Sequence, residues 1–282
     1  MPKSRKRKVP IAQIDHGTTT ASRPQATRTV IREFHVLLKR QAYLQKQATQ
    51  DVQVTSELSL IQQRIDELGG LQRYQHMSAV GQKDDRGGGS HRLFISWLKE
   101  AGVHKVHANG NKLSLLEVGA LEPDNYKTCS SWIEVSPIDL NSRHPAIKQQ
   151  DFLEIDPEEN REKWSAISLS LVLNFVPDAT ARGRMLRLAH QLLVPEGYLF
   201  VALPLPCISN SRYMTFERFQ ELMTCVGFVQ IQEKWREGGK MIYYLYRKGP
   251  PDITNVPGLS KFGRKEVLRR GNRNNFAILL DV

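Results

Sequence analysis

Cysteine is scarce in this chain, with only Cys129, Cys207 and Cys225 among 282 residues. Their odd number and wide spacing match neither a disulfide framework nor a paired zinc-ligand pattern, which points to a reducing compartment. Long apolar runs are missing too: nothing approaches the ~20 residues that a membrane-spanning helix requires. The charged start of the chain is not followed by an apolar stretch, which excludes a secretory signal peptide. The eight histidines, His91, His104, His107 and His144 among them, show no metal-ligand spacing. They read as ordinary surface or core residues, and no metal is expected. A Gly-x-Gly-x-x-Gly turn is also lacking. The most apolar strand-like run, Leu113-Ser114-Leu115-Leu116-Glu117-Val118, ends at a single glycine followed by Ala120-Leu121-Glu122-Pro123. One glycine offers no bare backbone nest and Glu122 repels anions, so a pyrophosphate-bearing dinucleotide is a poor fit.

What the chain has is positive charge and a clear change of periodicity. The net charge is +11 and the pI near 9.6, a balance that suits a polyanion, above all nucleic acid. Forty per cent hydrophobic residues supports a sizeable core, and 282 residues suffice for one α/β domain with additions. Residues 1–28 form a basic tail in which five of the first eight residues are Lys or Arg. Such a cluster serves as a nuclear import signal or an RNA-binding arm, or is simply solvated. Residues 29–110 read as a helical region. Val30, Phe34, Leu37, Leu38 and then Leu58, Ile61, Ile65, Leu68 recur at spacings of three and four. Gly69-Gly70 ends the second of these helices. The Gly-rich run Gly81 to Ser90 is either a lid or a linker, and Ser90 is placed to cap a helix through Leu93, Phe94, Trp97 and Leu98. Residues 249–282 form a basic C-terminal arm with Lys261, Arg264, Lys265, Arg269, Arg270 and Arg273. Its apolar end, Phe276 to Leu280, is suited to docking on the body.

Between residues 111 and 248, strand and helix signals alternate, which implies a parallel sheet with crossovers. Strand one ends at Gly119 and strand two, Trp132 to Asp139, follows after a gap short for a crossover helix. Pro137 lacks a donor, so strand two is expected to be short or bulged there. A third short strand lies at or before Asp151-Phe152. Strand four is Ala166 to Leu173 and strand five Tyr198 to Leu203. A helix from Thr215 to Val226 stops at Gly227. The runs Phe228–Trp235 and Met241–Tyr246 form an antiparallel hairpin. The predicted fold is therefore a Rossmann-like, mostly parallel α/β sheet with an antiparallel terminal hairpin and an N-terminal helical extension.

Asp139 stands twenty residues beyond Gly119, a spacing that places a carboxylate on ribose hydroxyls. A nucleoside cofactor without a phosphate fits best. S-adenosylmethionine carries a sulfonium and an ammonium, both suited to Glu117 and Glu122. Asn174-Phe175-Val176-Pro177 falls at the carboxyl end of strand four, where open α/β sheets bind substrates. Asn174 is placed to hold the edge of a base and Phe175 to stack on its face; the competing reading has Phe175 in the core and Asn174 capping a helix. Arg212 and Tyr213, after strand five, are candidates for a phosphate contact and a stacking contact, or for an ordinary loop charge and packing.

This ordered set (Glu-x-Gly, a later ribose acid, Asp-Phe, Leu-x-Pro-x-Gly and the hairpin) resembles the class I methyltransferases over residues 111–248. A narrower resemblance rests on Gly69-Gly70-Leu71-Gln72-Arg73-Tyr74-Gln75, Ile138-Asp139-Leu140-Asn141-Ser142, Gln150-Asp151-Phe152 and Ser168-Leu169-Ser170-Leu171-Val172-Leu173-Asn174-Phe175-Val176-Pro177. These segments are similar to the fungal 25S ribosomal RNA adenine-N1 methyltransferases. That resemblance implies S-adenosylmethionine as cofactor, N1 of a large-subunit rRNA adenine as target, pre-60S particles as partners, and a nuclear and nucleolar location; a monomer is expected, although the sequence leaves the oligomeric state open. It implies cofactor contacts from Gly119 and Asp139, with Glu117 beside them and Asp151 and Phe152 flanking the adenine ring. Asn174, Phe175 and Pro177 would then position the substrate base. An animal relative of that family senses S-adenosylmethionine, so a non-catalytic sensor or ribosome-assembly factor is the alternative.

Overall fold

The computed structural model describes residues 30, 33–34, 36–38, 40–41, 43–45, 52–70, 89–107, 110–249 and 259–281. The basic tail, residues 71–80 and most of the Gly-rich run lie outside them. Seven strands form one sheet: β1 (Leu113–Val118), β2 (Ile133–Asp139), β3 (Lys148–Gln149), β4 (Trp164–Ser170), β5 (Leu193–Pro204), β6 (Phe228–Lys234) and β7 (Met241–Lys248). Their spatial order is β3-β2-β1-β4-β5-β7-β6. The first five are mutually parallel, and β7 runs antiparallel between β5 and β6. This is a Rossmann-like α/β fold. Its strand order reverses between β1 and β4, so the carboxyl ends of those two strands open a crevice where ligands of such sheets sit.

The apolar strand sequences follow from burial on both faces. Leu113 and Leu115 of β1 pack with Ala166, Phe200 and Ala202 on one face. Leu116 and Val118 pack with Ile167, Leu169 and Val201 on the other. The first face is covered by α2 (Ser90–Glu100), after the earlier helix α1 (Val52–Glu67). Phe94, Trp97 and Leu98 occur at the helical spacing of three and four and are buried there. Phe94 stacks on Phe200 with ring centroids 4.8 Å apart; burying side chains of this size contributes roughly 1.5–3 kcal/mol each. Ser90 does not cap α2 as the sequence suggests. Gly89, at φ 87°, takes that position without a side-chain cap. Ser90 Oγ instead meets Ser170 Oγ at 2.7 Å, tying the helix to the end of β4.

After the short helix α3 (Val103–Val106), the second face is covered by α4 (Ala179–Leu192) and, beyond the short α5 (Pro206–Ser209), by α6 (Phe216–Val226). Thr215 accepts from Arg218 N at the start of α6, and Gly227, at φ 100°, closes it. The segment that opens with α7 (Leu259–Phe262) also belongs to this layer: Phe262, Phe276, Ile278 and Leu280 are buried in the same cluster.

Strand β2 corrects one expectation. It is seven residues long and keeps its register with β1 through Pro137. Gly119 N and Ala120 N donate to Ile138 O on one side, and Gln150 N donates to Asp139 O on the other. Pro137 shares the side of Asp139, where β3 pairs only with Ile138 and Asp139. No ladder donor is called for at Pro137, so its ring costs nothing and no bulge forms. The β1–β2 crossover is as short as the sequence implies, with only a 3-10 turn at Lys127–Cys129. Strand β4 ends earlier than expected, because Leu171 turns into the left-handed region at φ 59°.

Candidate active site

The turn after β1 is built on Gly119. Its φ of 73° is one that side chains with a Cβ disfavour. A Cβ there would also lie 3.0 Å from Val172 Cγ2. The absence of a side chain leaves a backbone cradle between the ends of β1 and β4.

One residue before Val118, Glu117 is only 7% exposed. Oε1 accepts from Asn125 Nδ2 at 2.7 Å. Oε2 is buried with no hydrogen-bond partner among the described residues. Burial raises the Glu117 carboxyl to about 7, against a smaller downward pull from Asn125. Tyr126, fully enclosed nearby, is pushed well above its usual range by burial and then by the charge of Glu117. An orphaned acceptor that deep is costly unless something else supplies a donor or a positive charge.

Asp139 ends β2, the strand adjacent to β1. Its Oδ1 accepts from Asn141 N at 2.8 Å. Desolvation raises its carboxyl above the ordinary value, with that backbone bond opposing. Asp151 caps the 3-10 turn Phe152–Glu154, its Oδ1 accepting from Leu153 N at 2.8 Å. The Phe152 side chain is in the core, so any cofactor contact from this residue is by backbone.

The loop after β4 carries Asn174, Phe175 and Pro177. Asn174 Oδ1 is buried without a partner among the described residues. Phe175 is partly buried against Phe34, Leu44, Ile61, Ile65 and Leu68 of the N-terminal helices. The helical region thus packs onto this loop through the ring expected to stack on a base. Pro177 is exposed. Arg212 Nη1 donates to Asn275 Oδ1 (2.6 Å) and Nη2 to Gly271 O (3.4 Å). Tyr213 lies under Lys265, Nζ to ring centroid 5.8 Å.

Sequence reading missed Arg182 and Arg269. Arg182, 2% exposed, donates Nε to Leu173 O (3.0 Å) and Val176 O (2.9 Å), the carbonyls on either side of Asn174-Phe175. Burial lowers it to about 10, which leaves it cationic at neutral pH. Arg269 looks like one more charge in a basic arm. Instead it donates to Ser211 O, Ser209 O, Ile208 O and Met214 O, clamping the loop after β5. Both are built for backbone carbonyls rather than phosphate. Their partners lie at least five residues away, most of them more than fifty, so no local motif announces them.

Among the described residues no cluster of His, Cys, Asp and Glu is arranged to hold a metal ion. The Gly119 cradle, the orphaned Glu117 oxygen and the Asp139 carboxylate fit a cofactor with a cationic end and a ribose.

Comparison with known proteins gives the family of the chain. The sequence profile of the 25S rRNA (adenine(2142)-N(1))-methyltransferases matches residues 59–278. The 25S rRNA adenine-N(1) methyltransferase of Schizosaccharomyces pombe is 34% identical over 256 residues, 88% of this chain and 89% of that one. The 25S rRNA (adenine(2142)-N(1))-methyltransferase of Saccharomyces cerevisiae is 32% identical over 244 residues, 82% of this chain and 69% of its own. Similar solved structures include a 1,6-didemethyltoxoflavin-N1-methyltransferase of Burkholderia thailandensis with S-adenosylhomocysteine bound. It has a TM-score of 0.39 and 16% identity, over 62% of this chain and 90% of that one. The N-methyltransferase NodS of Bradyrhizobium japonicum has a TM-score of 0.37 and 14% identity, over 53% and 87%. With a profile match through both the helical region and the sheet, and two relatives aligned over most of its length, the chain belongs to the 25S rRNA adenine-N(1)-methyltransferase family.

Proposed function

We propose that this protein transfers a methyl group from S-adenosylmethionine to N1 of an adenine in large-subunit ribosomal RNA. The observation that carries the reading is the pairing of the Gly119 cradle with Asp139 at the ends of adjacent strands, in a chain of this family. When bound, S-adenosylmethionine supplies an electrophilic methyl on its sulfonium. Gly119 admits the methionine end against bare backbone, Glu117 offers a carboxylate to its positive charge, and Asp139 accepts from the ribose hydroxyls. Asp151 and the Phe152 backbone border the adenine ring.

Asn174 Oδ1 accepts from the exocyclic amine of the target adenine, which turns the neighbouring N1 lone pair toward the reacting carbon. That lone pair is available near neutral pH, so no side chain has to remove a proton first. Orientation and exclusion of water carry the rate, and good orientation alone supplies ~7–11 kcal/mol. Phe175 holds the helical region over the loop, and Pro177 stiffens the exit from it. Arg264, Lys265 and Arg270 stand exposed on the C-terminal segment and serve as phosphate contacts. RNA affinity then falls steeply with salt as released counterions compete. Precursor large-subunit particles in the nucleolus, met by a monomer, are the setting this reading implies.

The direct test is transfer of label from S-adenosylmethionine to unmodified 25S rRNA, followed by nucleoside analysis. Label in 1-methyladenosine is the expected result. Cofactor binding without transfer, on free RNA and on precursor particles alike, would replace this reading with a sensor or assembly role.

Glu117 adds a pH signature. Its folded value of about 7 lies above its ordinary 4.5. Between those limits the folded protein holds a proton that the unfolded chain has lost. Stability contributed by the neutral carboxyl is therefore present at low pH and falls as pH rises through that window, by about 3 kcal/mol for the full shift. A cationic ligand favours the ionised form, so cofactor affinity should rise ~10-fold from pH 6 to pH 8, with a proton released on binding. Titration calorimetry in buffers of different ionisation enthalpy reads that proton. Glu117→Gln should flatten the profile, and an unchanged slope in that variant removes Glu117 from the cofactor's charge.

A further inference from the structure

The segment Asn274–Leu280 runs past the loops that follow β4 and β5 and bonds to each. On the β5 side, Arg212 N donates to Asn274 O (2.9 Å) and Asn274 N to Asn210 O (3.0 Å). Ser211 is completely buried. Its Oγ donates to Phe276 O (2.5 Å) and accepts from Tyr213 N (3.0 Å) and Met214 N (3.2 Å). On the β4 side, Arg182 Nη1 donates to Ala277 O (2.5 Å) while its Nε holds Leu173 O and Val176 O. The guanidinium also lies over the Phe276 ring, 4.6 Å from its centroid. Leu279 N donates to Ala179 O (3.0 Å), next to the loop's end.

This arrangement depends on a glycine. A Cβ on Gly183 would stand 1.8 Å from Leu279 O and 2.8 Å from Leu279 C, both backbone atoms that cannot swing aside. Gly183 sits within α4, where glycine is destabilising by roughly 0.5–1 kcal/mol relative to alanine. Its cost is matched by the close approach of the segment, which alanine would forbid. Two buried polar groups and one helix glycine are thus all committed to the same stretch of chain.

We propose that residues 274–280 are a strap that fixes the loops after β4 and β5 relative to each other, with Arg182 the positioning residue for Asn174. This rests on the reading of Asn174 as the contact to the target base. The two loops rise from neighbouring strands at the edge of the sheet where a substrate base meets the methyl donor. The strap supplies backbone carbonyls to Arg182 and Ser211 and buries Phe276, Ile278 and Leu280 in the same core. Among the described residues, the strap's hydrogen bonds run to α4, to α7 and to the loops after β4 and β5, and none to the cofactor's residues on β1, β2 and the Asp151 turn. Strap and cofactor site are therefore separable by experiment.

Gly183→Ala tests the strap without touching either loop, and Arg182→Lys keeps the charge while losing the planar fork. Three quantities are read on the full chain: affinity for S-adenosylhomocysteine, kcat and KM on 25S rRNA, and amide hydrogen exchange. In both variants kcat should fall ~100-fold, as misplacement by about an ångström does, with cofactor affinity within about 2-fold of the parent. Exchange should quicken by ~10-fold or more at residues 173–176 and 208–214 as well as at 276–280. Faster exchange confined to 276–280, or a loss of kcat no larger than the loss of cofactor affinity, overturns the proposal. Should the parent chain transfer no methyl group, the base-positioning reading fails by itself, and the exchange pattern alone still decides whether the strap holds the loops.

Discussion

Gly119→Arg is expected to abolish S-adenosylmethionine binding while leaving a folded protein. Gly119 adopts φ 73° and faces Val172 Cγ2. Any Cβ adds about 1–2 kcal/mol of left-handed strain and a 3.0 Å contact with a side chain that can shift. A long side chain has one further place to go, the cradle itself, where a guanidinium also competes for the Glu117 carboxylate. Gly119→Ala should be milder, weakening the cofactor ~10-fold from strain and crowding alone. Asp139→Ala separates the ribose end: a hydrogen bond to a charged acceptor is worth about 1.5–3 kcal/mol, or roughly 10- to 150-fold in Kd. Calorimetric titration with S-adenosylhomocysteine, beside thermal melts, checks all three. Retained binding in both Gly119→Arg and Asp139→Ala would show that the cofactor site lies elsewhere.

The second large effect concerns Asn174. Its Oδ1 is buried and unpartnered among the described residues, a condition that costs a folded protein about 1–3 kcal/mol. Asn174→Ala removes the orphan. The variant is expected to be as stable as the parent or up to about 1 kcal/mol more stable, while kcat on rRNA falls ~100-fold and cofactor affinity is unchanged. Opposite signs for stability and activity are the mark of a group held in an unfavourable state for function. Loss of stability together with activity would instead make Asn174 an ordinary part of the loop. Denaturant melts and single-turnover methylation distinguish the two.

The sheet was legible from sequence because its signals are local. Strands buried on both faces read as near-continuous apolar runs, and Thr215 and Gly227 delimit α6 by capping chemistry that acts within a few residues. The same locality explains where reading along the chain stopped short. Pro137 looked like an obstacle because the sequence does not say which side of β2 its nitrogen faces, nor that β3 is two residues long. Ser90 has a capping residue type but was drawn to Ser170, eighty positions away. At the site, Gly119 and Asp139 stand out by type and spacing. Arg182 and Gly183 do not, since one reads as a charge on a helix and the other as a weak helix former. Only the arrival of Ala277 and Leu279, more than ninety residues later, gives either a reason.

The short β3 has a consequence for how this molecule behaves in a crowd. It pairs with only the last two residues of β2, so on that side Ile133 to Pro137 have no strand partner among the described residues. An uncovered strand with a full row of donors is a template on which another polypeptide can add itself, the first step toward fibrous aggregates. Pro137 removes one donor from the middle of that row, and Glu134 stands exposed on the same strand. A residue that looked like a flaw in the sheet thereby guards its margin against the addition of a foreign strand.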